Sequence, residues 1–102
     1  MPISESTEIC YLTATGLAAR IRAGELSAVD AARACLERIG RLNPRFNAVV
    51  DLHAERALAE AREADAAAAR GEWRGPLHGV PITVKDVYDV AGMRTTFGYP
   101  PL

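Results

Sequence analysis

A glycine- and proline-rich turn, residues 75–79, runs directly into a short apolar segment that ends on a lysine. From Val80 to Lys85 apolar residues alternate with other residues, and this alternation predicts a strand with one apolar face. A lysine at the end of a buried strand is unfavourable unless its charge is paired or its amine has a chemical role. Any fold for this chain must therefore account for Lys85.

The bulk properties of the chain are those of an ordinary globular protein. Its 102 residues are 49% hydrophobic and 25% charged, enough for one small domain. A formal net charge of -1 gives no electrostatic basis for binding nucleic acid or an anionic membrane. The N-terminus lacks a signal-peptide pattern, and no stretch reaches about 20 apolar residues, so we expect a cytoplasmic protein without a membrane span.

The residue pattern does not favour a metal or redox centre. Cys10 and Cys35 lack the close spacing of a metal or redox motif, and Cys35 is expected to be a small buried hydrophobic residue. A metal site built from His78, Asp86 and Asp89 would have a strand between the histidine and the acids. We instead expect His78 to be a hydrogen-bonding loop residue, and we expect neither a metal nor an organic cofactor.

Helical spacing accounts for most of the chain before the strand. Residues 1–12 carry little pattern and are expected to form a loose lead-in. The first helix is predicted to begin after Thr13, as its N-cap, and to stop at Gly24.

The second helix has a cleaner predicted start at Ser27, because Asp30 completes an acidic variant of the capping box. Its predicted end is Asn43-Pro44, because proline disfavours the helical conformation in the residue before it. A third helix, rich in alanine, is predicted over residues 52–70.

The predicted order of elements indicates an α/β fold. A short strand at residues 46–50, the third helix and the strand at residues 80–85 form a βα unit that feeds a sheet with parallel pairing. Two strands make a poor sheet alone, so we predict that these strands belong to a larger sheet whose remaining strands are absent. The expected domain, residues 1–102, divides into the lead-in, a helical scaffold at 13–71, and the lysine strand with its loop at 72–102.

Lys85 has no acidic neighbour on its predicted face, which it shares with Pro81 and Thr83. Burial without a close carboxylate lowers a lysine pKa from about 10.4, because desolvation disfavours the ammonium form. A neutral lysine can act as a general base. The residues alone leave open a second interpretation, in which the amine reaches water or pairs with a distant acid.

Three glycines and a tryptophan complete the pattern around the strand. Gly75, Gly79 and Gly92 do not follow a phosphate-binding spacing and are expected to permit turns and close approach to the missing part of the domain. Trp73 is expected to cover an edge of the core.

The quoted residues together resemble the amidase signature family. The specific part is Gly75–Asp86, followed by Asp89–Gly92 and by Thr95-Thr96-x-Gly98. Upstream, Gly24–Ser27 and Leu42–Ala48 lead into an alanine- and glutamate-rich helix, as in that family. The similarity covers nearly the whole chain, and the helices alone would be weak evidence.

The resemblance implies a hydrolase of carboxylic amide C–N bonds with a Ser–cis-Ser–Lys triad on a mixed-sheet fold. The base of that triad corresponds to Lys85, which acts through a bridging serine on a nucleophilic serine to give an acyl-enzyme. Asp86 matches an aspartate that we interpret as structural support, and Thr95 and Thr96 either line the site or pair in a strand. The implied partner is a small-molecule amide, and a homodimer is a possible assembly of the full-length form.

The sequence departs from the family pattern in its serines. Both catalytic serines of the family lie further on, in a glycine- and serine-rich segment, whereas this chain contains only Ser4, Ser6 and Ser27. Tyr99 also stands where a serine is common. We therefore expect an N-terminal fragment of an amidase that is inactive alone. The alternatives are a fragment of the glutamine amidotransferase A chain that serves aminoacyl-tRNA, and a non-catalytic helical module that binds another chain.

Overall fold

The computed structural model describes residues 5–85, 88 and 90–93. The helix over Ala28–Phe46, α3, is the central element of the fold, because it packs against both α1 (Glu5–Tyr11) and α4 (Ala54–Ala69). None of the helices in these residues is long and apolar enough to cross a membrane. The four helices are α1 (Glu5–Tyr11), α2 (Ala14–Arg22), α3 (Ala28–Phe46) and α4 (Ala54–Ala69).

The predicted α/β fold is wrong, because the described residues form helices and contain no strand. Residues 47–50 and 80–85 are irregular where two strands were predicted. Strand preference reflects pairing and packing with neighbouring strands, and neither segment has a partner strand in the part of the chain that is described. Ile82 is 78% exposed and Val84 45% exposed, so the alternation does not bury an apolar face.

Both predicted N-caps are confirmed. The Thr13 hydroxyl accepts the N–H of Gly16 at 3.0 Å and opens α2. The Ser27 hydroxyl accepts the N–H of Asp30 at 3.0 Å, and the Asp30 carboxylate accepts the N–H of Ser27 at 3.1 Å. Helix α3 therefore begins with a complete capping box, as the sequence predicted.

The predicted end of the second helix is wrong, because α3 continues through Pro44 to Phe46. Proline in the last turn removes only one backbone donor, and this loss is small beside the bonds that close the helix. Asn47 adopts a left-handed conformation with φ 50° and donates its N–H to the Asn43 carbonyl at 2.6 Å. The Asn43 side chain also accepts from the Val49 N–H at 2.8 Å and donates to the Val49 carbonyl at 2.9 Å.

The stretch expected to be a loose lead-in contains helix α1. Its contact with α3 buries Ile9 to 5% exposure, so tertiary packing stabilises a helix of seven residues that would be marginal alone. The main core cluster comprises Ile9, Leu17, Ile21, Leu26, Ala31 and Ala34.

Helices α3 and α4 meet through small side chains and one carboxylate. Ala28, Ala32 and Ala61 form the buried cluster between them, and Leu58 and Ala64 of α4 pack against it. Asp65 on α4 accepts the N–H groups of Ala28, at 2.7 Å, and Val29, at 3.1 Å. These two donors lie in the first turn of α3, where backbone N–H groups lack helical partners and a negative charge is favourable.

Candidate functional site

The loop that leads to Lys85 is held on α4 by a buried histidine. His78 is 8% exposed. Its Nδ1 accepts the N–H of Arg74 at 3.0 Å, and its Nε2 lies 2.8 Å from the Ala64 carbonyl. Because a backbone N–H can only donate, the ring proton is on Nε2. His78 is thus the hydrogen-bonding loop residue that the sequence predicted, and Asp86 and Asp89 of the metal alternative lie outside the described residues.

Trp73 covers the edge of the core, as predicted. It is partly buried against the main core cluster. Its ring meets that of His78 edge to face at 5.0 Å, and the Arg22 guanidinium lies 4.7 Å from its centroid. This stacking joins the loop to the end of α2.

Gly79 brings the backbone close to α2 and α3. It comes just before residues 80–85, which we call the lysine segment. Its φ of 84° suits glycine, and an added Cβ would lie 3.1 Å from the Ala28 Cβ and 3.3 Å from Ile21 Cγ2. Val80 still packs against the core, but the chain beyond it is largely exposed. The structure therefore places Gly79 against α2 and α3 of this chain, and its predicted approach to a missing part of the domain stays a prediction.

Lys85 lies on an irregular, exposed part of the chain rather than at the end of a buried strand. Its carbonyl accepts the N–H of Tyr88 at 3.1 Å. The expectation of a buried lysine is therefore not met in this structure, and its amine is accessible to a partner. Of the other residues predicted near the site, Asp86, Thr95 and Thr96 lie outside the described residues.

A second anchor follows the lysine. The Arg56 guanidinium on α4 donates to the Ala91 carbonyl at 2.6 Å and to Glu60 at 3.2 Å. The Lys85 segment is consequently attached to α4 on both sides, by His78 before it and by Arg56 after it. The sequence contains no signal for the Arg56 contact beyond its i,i+4 spacing to Glu60.

An open apolar cavity of about 370 Å³ lies beside the same segment. Helix α3 contributes Ile39, Leu42 and Phe46, Val49 follows that helix, and Thr83 comes from the lysine segment. The cavity therefore connects the surface of α3 to the chain two residues before Lys85. Its lining can bind apolar groups and offers few polar contacts.

Two free cysteines also line this cavity, one from α1 and one from α3. The Cys10 thiol donates to the Ala34 carbonyl at 3.7 Å, next to Cys35 in sequence. Burial, followed by interaction with the Cys10 thiol, raises the pKa of Cys35 to about 11. Their separation in sequence concealed this proximity, which arises from the packing of α1 on α3.

Comparison with known proteins gives one family and several similar chains. The family described as Amidase matches residues 30–102. The A chain of the glutamyl-tRNA(Gln) amidotransferase from Carboxydothermus hydrogenoformans is 45% identical over 87% of this chain and 18% of that protein. An acylamidase of Rhodococcus erythropolis is 40% identical over 90% of this chain and 19% of the relative. An amidase of Pseudomonas putida is 43% identical over 92% of this chain and 20% of the relative.

The chain thus spans about a fifth of the length of these curated relatives. No solved structure matches it. The matched region includes the loop with His78, the lysine segment and most of α3.

Proposed function

Because the chain belongs to the amidase family, as its sequence resemblance indicated, we propose that it supplies the lysine base of an amide-hydrolysing site. The observation that carries this proposal is the family match over residues 30–102, which includes Lys85. Lys85 is also the only lysine in the sequence. Its exposure and its position between two anchors on α4 support a role in which the amine meets residues of a complementary part.

In the proposed reaction, the Lys85 amine accepts a proton, through a bridging serine, from a nucleophilic serine. The serine oxygen attacks the amide carbonyl carbon, the C–N bond breaks, and the leaving nitrogen takes the proton. Water then hydrolyses the acyl-enzyme to release the acid.

The three serines of this sequence are not suited to these two roles. Ser27 caps α3 through its hydroxyl, and Ser4 and Ser6 precede it near the start of the chain. Loss of the nucleophile removes most of the catalysis by such a group of residues. We therefore propose that the 102-residue chain is inactive alone and that activity requires serines from a complementary part.

The test is a chimera in which this chain replaces the matching 20% of the Pseudomonas putida amidase. We expect the chimera to release ammonia from a simple carboxamide. Lys85→Ala in the chimera should lower kcat by at least about a thousandfold, because the proton acceptor is lost. Arg33→Ala is the matched control, since it removes an exposed cation on α3 without touching the lysine segment.

Circular dichroism and the thermal unfolding midpoint establish that each chimera is folded. A folded Lys85→Ala chimera that retains activity contradicts the role of Lys85. A folded but inactive parent chimera, under conditions where the Pseudomonas putida amidase is active, contradicts the proposal that this chain supplies a working amidase part.

A second candidate is the corresponding part of an amidotransferase that takes its amide nitrogen from glutamine. The 45% identity to the Carboxydothermus hydrogenoformans amidotransferase chain supports it as well as the 43% identity to the Pseudomonas putida protein supports a simple amidase. A second chimera, built on that amidotransferase chain and assayed with its cognate partner chains, distinguishes the two. Preferential function in the amidotransferase background favours the second candidate, and function only in the amidase background excludes it.

A further inference from the structure

The two cysteines have no part in the proposed amidase chemistry, yet the fold brings them together. We propose that Cys10 and Cys35 form a reversible intrachain disulfide that joins α1 to α3, in exchange with a small-molecule disulfide such as oxidised glutathione. This proposal stands independently of the role of Lys85.

The contact between α1 and α3 supplies the geometry. The Cys10 sulfur reaches the carbonyl of Ala34, the residue before Cys35, at 3.7 Å. The two cysteines also line the same cavity. The Cys10 sulfur is thus held against the α3 backbone one residue before Cys35, and a disulfide forms only between cysteines whose backbones lie close together.

The cavity also gives a small oxidant access to the thiols. Both cysteines are partly exposed, and the cavity of about 370 Å³ is open to solvent. Arg38 lines the same cavity and is held there by the Tyr11 hydroxyl, 3.4 Å from its guanidinium. A positive charge beside the thiols attracts the carboxylates of glutathione.

The exchange consists of two displacements. The Cys10 thiolate attacks one sulfur of oxidised glutathione, which forms a mixed disulfide and releases one glutathione thiolate. The Cys35 thiol then loses its proton to solvent and attacks the Cys10 sulfur, which closes the intrachain bond and releases the second glutathione thiolate. The two protein thiols lose two electrons, and the glutathione disulfide gains them as two molecules of reduced glutathione.

The order of these steps follows from the surroundings of Cys35. Burial raises its pKa to about 11, so its thiol stays protonated near neutral pH. Cys10 therefore reacts first with the oxidant, and Cys35 resolves the mixed disulfide. The closing step should accelerate as the pH rises, since it needs the Cys35 thiolate.

The test is titration of the purified protein with oxidised and reduced glutathione at fixed ratios, followed by acid quenching. Mass spectrometry of peptides and thiol counting in denaturant then identify the products. We expect the wild-type protein to lose both thiols and to yield a crosslinked peptide pair containing Cys10 and Cys35. Cys35→Ser should instead accumulate the mixed disulfide on Cys10, and Cys10→Ser should react much more slowly.

A parallel titration in denaturant separates the effect of the fold from simple chain connectivity. The effective concentration of one thiol at the other follows from the exchange equilibrium with glutathione. It should be on the order of a hundredfold higher in the folded protein than in the unfolded chain. Equal values in the two states would overturn the proposal. Two separate glutathione adducts on the folded wild-type protein would also overturn it, as would crosslinks only between chains.

Discussion

His78 joins the loop before Lys85 to α4 through both ring nitrogens. Its partners are backbone groups, the Arg74 N–H and the Ala64 carbonyl, and both distances are 3.0 Å or shorter. The imidazole therefore bridges two segments of the chain. The Lys85 segment therefore starts from a fixed point on the scaffold.

Replacement of His78 by alanine should lower the free energy of unfolding by about 1–3 kcal/mol, because it removes two part-buried hydrogen bonds and the edge-to-face contact with Trp73. Urea denaturation followed by circular dichroism measures the change. His53→Ala is the matched control. His53 is half-buried beside Asp51 at 3.1 Å, and its loss should cost no more than about 0.5 kcal/mol. Equal losses for the two variants would contradict the bridging role of His78.

Because of Cys35, the stability of the folded protein should fall as the pH becomes alkaline. Its pKa is raised from the ordinary value of 9.0 to about 11 in the folded protein, so the folded state keeps a proton that the unfolded state has lost. Its contribution to stability is fully present below pH 9.0 and is lost as the pH rises through about 11. The slope in this window is at most about 1.4 kcal/mol per pH unit.

The measurement is the free energy of unfolding under reducing conditions from about pH 8 to about pH 11, compared with that of Cys35→Ser. The difference removes titrations that are common to both proteins. We expect the wild-type curve to fall more steeply than that of the variant. Parallel curves would show that Cys35 does not titrate in this way.

At the residue scale, local chemistry made several positions predictable. The caps at Thr13 and Ser27 depend on side chains that bond to nearby backbone, so their signals are contained in a few residues. The Cys10–Cys35 contact and the Asp65 carboxylate depend on which helices pack together. No short stretch of sequence encodes that information.

At the scale of elements, helices were predictable and strands were not. A helix satisfies its backbone within one segment, so Ser27 and the apolar spacing after it suffice to locate most of α3. A strand needs a neighbour to pair with. Residues 80–85 alternate correctly, yet they lie exposed and irregular without one among the described residues. The same distinction explains why α2, α3 and α4 were located while the sheet was wrong. Helix α1 was missed, because it depends on its packing against α3.

Substitution by alanine should have opposite effects on stability at two of the glycines. Gly79 has φ 84° and sits against Ala28 and Ile21, so Gly79→Ala should lower the free energy of unfolding by about 2 kcal/mol. Gly40 lies within α3, and an added Cβ would meet no atom within 4 Å. Gly40→Ala should therefore raise the free energy of unfolding by about 0.5–1 kcal/mol.

Chemical denaturation of both variants and of the wild-type protein tests whether the two changes in the free energy of unfolding have opposite signs. A stabilised Gly79→Ala would mean that the loop does not approach α2 and α3 as closely as described. A destabilised Gly40→Ala would point instead to a hidden contact on the exposed side of α3.

At the scale of the whole molecule, much apolar surface lies outside the core. Phe46 is 63% exposed and borders the open cavity, and Ile82 is 78% exposed on the lysine segment. No side chain larger than alanine is fully buried among the described residues. An exposed apolar surface of this kind favours association with another surface.

We expect the chain to self-associate at micromolar concentrations, with the double variant Phe46→Ser, Ile82→Ser shifted toward monomer by at least about tenfold in dissociation constant. Sedimentation velocity over a concentration series measures this shift. Arg33→Ser with Arg62→Ser is the matched control, because both positions are exposed but polar. Wild-type protein that remains monomeric at all concentrations would refute the prediction.

The Asp65 carboxylate also bears on the order in which the chain folds. Its two acceptor bonds reach across 37 and 36 residues, and contacts so distant in sequence form only after the intervening chain has closed into a loop. The capping box of α3 needs no such closure, so this helix can nucleate from its own first turn. The Asp65 bonds therefore form when α4 packs against α3. They stabilise the packed pair of helices but do not start its formation.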